Sequence, residues 1–140
     1  MSKMQRNKGQ RGEREMAKLI QPVVDEVYAA AGLVPPSVER NLMQTAKGGY
    51  DLVGVDWLAV EVKRQETLNV NGWWKQTLEQ ASEGQTPVLL YRKNRQPWRA
   101  VTLVQLGERQ IRAEISLEDW LSWLYDALQA ACKERSRTEL

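Results

Sequence analysis

The segment at residues 57–64, WLAVEVKR, alternates in a way that a strand accommodates and a helix does not. Leu58, Val60 and Val62 fall on one side, and Ala59, Glu61 and Lys63 on the other. Downstream, residues 73–82, WWKQTLEQAS, read as a helix ended by Gly84, and residues 86–93, TPVLLYRK, as a short apolar strand. The helix makes this connection a crossover, so the strand after it is expected to lie parallel to residues 57–64 in one sheet. A core gains nothing from a carboxylate and an ammonium placed beside a small alanine. A site does.

Upstream, Met16, Leu19, Ile20, Val23, Val24, Val27, Tyr28 and Ala31 recur at helical spacing. They predict a long amphipathic helix over residues 9–31, kinked where Pro22 removes a backbone donor and stopped by Gly32. Residues 1–8 precede it as a flexible basic arm. Residues 38–45 and 50–53 read as strands, with the polar AKGG as the turn between them. NVNG, residues 69–72, marks a loop, and WRAVTLVQL, residues 98–106, is a strand after the NRQP turn. Ser116 caps a last amphipathic helix with Glu118 and Asp119 in its first turn, and residues 134–140 form a frayed tail. The order is helix, three strands, helix, two strands, helix. That is one α/β domain over residues 1–140, a central mixed β-sheet flanked by α-helices.

A chain of 140 residues is long enough for one sizeable core. The lone Cys132 excludes an intramolecular disulfide and a cysteine-cluster zinc site. The absence of histidine removes Ser-His and Cys-His nucleophiles, His-ligated metals and the commonest general base. Catalysis is left to Asp, Glu, Lys and a hard cation. No apolar run reaches the length of a membrane span, and MSKMQRNKGQRGERE holds no apolar signal core. A cytoplasmic location follows as an expectation, nucleoid-associated or in the host cytoplasm for a viral chain, with no membrane partner and no nucleotide cofactor.

The net charge of +2 is unevenly spread. Lys3, Arg6, Lys8, Arg11, Arg14 and Lys18 face only Glu13 and Glu15, and Arg92, Lys93, Arg95 and Arg99 form a second basic cluster. Each alone fits solvated surface; together they suit a polyanion such as nucleic acid.

A hairpin of residues 50–53 and 57–64 brings Asp51 near Glu61, with Lys63 on the side of Glu61. Two close carboxylates repel unless a cation sits between them. Mg2+ is the expected occupant, because it takes oxygen ligands and keeps exchangeable waters. Lys63 beside it would orient an attacking water or stabilise charge developing on a phosphate. Phosphodiester hydrolysis needs this set and no histidine.

The string YDLVG…LAVEVK resembles the Asp-(X)n-Glu-X-Lys signature of the PD-(D/E)XK nuclease superfamily, with Tyr50 in place of its variable proline. KGQRGEREMAKL, residues 8–19, is similar to the first helix of archaeal-type Holliday-junction resolvases, and TPVLL and PWRAV match their later strands in order. The resemblance spans roughly residues 8–104. It implies a restriction-endonuclease-like fold acting on branched DNA, the four-way junction, with Mg2+ and with Mn2+ able to substitute; a homodimer is expected because such a junction has two equivalent strands to cut. By position, Glu13, Asp51, Glu61 and Lys63 would be catalytic. Glu13, Asp51, Glu61 and the Val62 backbone carbonyl would hold the metal, and Lys8, Arg11, Arg14 and Arg40 would contact DNA.

Other readings stand beside these. Glu13 and Glu15 favour a helix N-terminus through the macrodipole. Glu61 and Lys63 alone read as a surface pair. Gln76 and Gln80, one turn apart, fit a solvated helix face, with an approach to the scissile phosphate as the alternative. Trp73 and Trp74 are adjacent, so one is expected in the core and the other at a dimer or DNA contact. Trp120, Trp123 and Tyr125 read as core or interface. The alternatives for the whole chain are another PD-(D/E)XK nuclease acting on duplex, restriction-like or repair, and a catalytically silent DNA-binding module.

Overall fold

The computed structural model describes residues 3–43 and 49–138. Helix α1 (Lys3–Ala30) leads into two short strands, β1 (Glu39–Arg40) and β2 (Leu52–Val53). Strand β3 (Leu58–Arg64), helix α2 (Val70–Gln80) and strand β4 (Thr86–Arg92) follow, then strands β5 (Arg99–Leu106) and β6 (Arg109–Ser116), and helix α3 (Leu117–Thr138). The six strands form one sheet in sequence order, β1 to β6. β3 and β4 pair in parallel, with Glu61 opposite Leu89 and Lys63 opposite Tyr91, and every other neighbour is antiparallel. The mixed sheet with flanking helices matches the expected architecture, including the parallel crossover.

Each face of the sheet has its own core. Met16, Ile20, Val24 and Val27 of α1 pack with Val60, Val62, Leu90, Trp120, Leu124 and Leu128 on one face. Full burial of such side chains contributes about 1.5–3 kcal/mol each. Gly12 lets α1 come this close: a Cβ there would stand 3.2 Å from the Cβ of Arg64. On the other face, Trp73 and Trp74 of α2 cover Leu89, Tyr91 and Val101. The alternation of β3 therefore aims Glu61 and Lys63 at the α2 face.

Several elements differ from the sequence reading. α1 begins at Lys3, not at residue 9, so the segment expected as an arm is helical from Lys3 onward; its lysine, methionine, glutamine and arginine are good helix formers. Pro22 lies inside this helix. β1 stops at Arg40 because Asn41 turns the chain, its amide donating to the Tyr50 carbonyl and its oxygen accepting from Met43 N; Thr45 and the AKG of the expected turn lie outside the described residues. Residues 69–72 are not a loop: Asn69 caps α2 by accepting from Gly72 N, and Val70 to Gly72 form its first turn. β6 was not expected. Ser116 caps α3 through Asp119 N at 3.0 Å, as its sequence implies, but that helix continues to Thr138 through most of the expected tail.

Candidate active site

The site starts from an irregularity in β2. Leu52 is the ladder partner of Val60, yet the Asp51 amide also donates to the Val60 carbonyl, at 2.8 Å. Two residues facing one is the arrangement of a β-bulge, which re-aims a side chain. The Asp51 carboxylate turns along β3, and its Oδ2 accepts from Val62 N at 2.7 Å. Because the N–H and C=O of one strand residue point to the same side, the Val62 carbonyl lies on this edge too.

Asp51 and Glu61 are buried, 6% and 3% exposed. Burial first, and the Asp51 charge second, push the Glu61 carboxyl up to about 8, against the opposing pull of Lys63. Lys63 Nζ stands 3.4 Å from Glu61 Oε1. The other oxygen belongs to α2. With its nitrogen facing acceptors, the Gln80 amide donates to Glu61 Oε2 and to the Gly49 carbonyl, and accepts from Gln76 Nε2. Gln76 and Gln80 thus form no plain solvated face.

A buried carboxylate pair with one member's proton held near neutrality is a donor set short of positive charge. A hard divalent cation would fit it, and Asp51, Glu61 and the Val62 carbonyl are the groups that would hold it. Among the described residues no group of three such side chains converges. So few protein donors would suit an ion that dehydrates reluctantly and keeps several waters.

Glu13 is placed differently. Its Oε2 accepts from Arg40 Nε at 2.7 Å, so α1 is tied to β1 by an ion pair between two residues expected to meet metal and DNA separately. Arg11 and Arg14 are exposed on α1, while Lys8 lies 3.5 Å from Glu66. The second basic cluster is half consumed internally. Arg92 donates to Glu15 at 2.9 Å, and Arg99 stands 3.5 Å from Glu114, leaving Lys93 and Arg95 exposed. Glu15 also accepts from Trp98 Nε1 at 2.9 Å and Arg64 at 3.3 Å, which makes it a structural hub.

Trp73 and Trp74 are both buried, at 7% exposure each, so neither is free for a dimer or DNA contact. Trp120 is fully buried, and Trp123, edge-on to Trp57 at 6.1 Å, remains 39% exposed. No spacing in the sequence assigns Gln80 to Glu61 or Glu15 to its partners. A glutamine pair one turn apart on the crossover helix was the available signal for the first.

A family model described as "Phage putative PDDEXK endonuclease" matches residues 4–116. No curated protein matches the chain. Among solved structures, Hjc of Archaeoglobus fulgidus, a Holliday junction resolvase from an archaeal hyperthermophile, superposes with a TM-score of 0.51 at 16% identity, over 82% of this chain and 96% of Hjc. That likeness is one of fold.

Proposed function

The chain belongs to the family described as phage PDDEXK endonucleases, and from that premise we propose that it is a Mg2+-dependent DNA endonuclease selective for four-way junctions. The observation that carries this reading is the buried pairing of Asp51 and Glu61, with Lys63 3.4 Å from Glu61 Oε1. A divalent cation held by Asp51, Glu61 and the Val62 carbonyl supplies positive charge against a phosphodiester. Lys63 orients the attacking water and stabilises negative charge that develops on the phosphate. Glu13, released from Arg40, adds a further carboxylate from α1. Lys8, Arg11, Arg14 and Arg40 hold the sugar–phosphate backbone, which positions DNA without reading its bases.

Junction selectivity and pairing of cuts call for a two-fold dimer, whose two sites match the two equivalent strands of a four-way junction. The exposed Trp123 beside Trp57 is the aromatic surface available for such an interface. No helix among the described residues is long and apolar enough to cross a membrane. A second reading, a nuclease cutting ordinary duplex, draws on the family description, which names an endonuclease without a junction. Cleavage of a synthetic four-way junction beside a matched linear duplex, with Mg2+ and with chelator, separates them. Preferred cutting of the junction supports the resolvase reading, and equal rates leave the general nuclease.

A further inference from the structure

Glu61 projects from β3 onto the sheet face that α2 covers, and the end of α2 meets it there. The Gln80 amide touches Glu61 Oε2, the Gly49 carbonyl at 3.0 Å and Gln76 Nε2 at 3.2 Å. All the hydrogen-bonding groups of that amide point at named partners, and one of them is the carboxylate expected to bind the ion. The opposite oxygen, Oε1, faces Lys63. A glutamate left alone has several rotamers to lose on ordering. Here its two oxygens are held from two directions.

Gly49 completes the arrangement. A Cβ at that position would stand 2.5 Å from the outer end of the Gln80 amide and 2.7 Å from its Cδ. These atoms are the far end of a flexible side chain, so an added methyl displaces the Gln80 amide and leaves the backbone in place.

We propose that Gln80 is a positioning residue for Glu61: its amide, braced by Gln76 and admitted by the missing side chain of Gly49, fixes the carboxylate in the orientation that receives the divalent ion. This deepens the nuclease reading and rests on it. Outer partners of metal-binding carboxylates act in this way, and their loss costs about 10- to 100-fold in metal affinity or activity. The hydrogen bond is charge-assisted when Glu61 is ionised, which adds to its hold.

The test is calorimetric titration of the metal-free full chain with Mn2+, on the wild type and on Glu61→Gln, Gln80→Met and Gly49→Ala. Methionine keeps the length of Gln80 and removes its donor. The expected result is binding by the wild type, none by Glu61→Gln, and affinity about 10-fold weaker in Gln80→Met with its thermal unfolding unchanged. Gly49→Ala should reproduce that loss by displacing the amide, and the Gly49→Ala/Gln80→Met double variant should bind no more weakly than Gln80→Met alone. Cleavage by Gln80→Met should recover as Mn2+ is raised to saturation, which a general structural defect would not allow. Wild-type affinity in both Gln80→Met and Gly49→Ala, with binding lost in Glu61→Gln, overturns the role of Gln80 and leaves the metal site standing. Absence of binding by the wild type overturns both.

Discussion

The carboxylate of Asp51 takes over a strand's backbone hydrogen bond: its Oδ2 accepts from Val62 N at 2.7 Å, just before β2 begins. One side chain therefore serves both the fold and the site. Asp51→Asn keeps an acceptor for the Val62 amide and should retain stability while losing cleavage. Asp51→Ala leaves that buried donor unpaired and should cost about 1–3 kcal/mol in urea unfolding as well. Equal stability of the two variants would show that the bond does not support the hairpin.

Metal-free protein should lose stability as pH rises. Glu61 has its carboxyl raised from 4.5 to about 8, chiefly by burial and then by Asp51. The folded state holds a proton that the unfolded state has released, so the stabilisation is complete below about 4.5 and lost as pH climbs through about 8. Thermal unfolding at pH 5 and pH 8.5 should show a larger drop for the wild type than for Glu61→Gln. Mg2+ should restore the wild type at the higher pH, since it binds the folded form. Matching drops in the two proteins would place the Glu61 proton elsewhere.

Glu15 predicts a purely structural effect. Its carboxylate joins Arg92, Arg64 and the Trp98 indole, tying α1 to β3, β4 and the start of β5. The group is partly exposed, so Glu15→Ala should cost about 1–2 kcal/mol, less than a fully buried network would. Chemical denaturation measures it, and an unchanged midpoint would remove Glu15 from the framework.

The central hairpin and crossover were legible because they rest on local rules. Strict alternation placed Glu61 and Lys63 on one face, and the helix after Arg64 demanded a parallel strand. β6 escaped because RQIRAEIS mixes charges with only two isoleucines, although its alternation and the Gly107 turn were there to be read. Adjacency alone separates Trp73 from Trp74, because neighbours diverge around a helix. They stand about 100° apart, within the width of a buried apolar stripe, and the sheet under α2 takes both. The Glu13–Arg40 and Glu15–Arg92 pairs join residues far apart in the chain, and no spacing rule reaches across such a gap.

The exposed arginines of α1 predict salt-dependent DNA binding. Arg11→Ala with Arg14→Ala should weaken binding to junction and duplex alike. The slope of log K against log salt should flatten by about 0.9 for each duplex phosphate that the variant no longer neutralises. Fluorescence anisotropy across a salt series provides the slope, and an unchanged value would return these arginines to solvated surface.

Cleavage of a labelled four-way junction in Mg2+ by the wild type, Glu61→Gln and Lys63→Ala tests the assignment of the site most directly. The wild type should cut, chelator should stop it, and each variant should fall by about 10²-fold or more while still binding the junction. Lys63→Ala should still bind the ion, because the role proposed for the ammonium is at the phosphate and not as a metal ligand. Near wild-type cutting by Glu61→Gln would contradict the account, since no hydrolysis routed through the Asp51–Glu61 pair survives loss of that carboxylate.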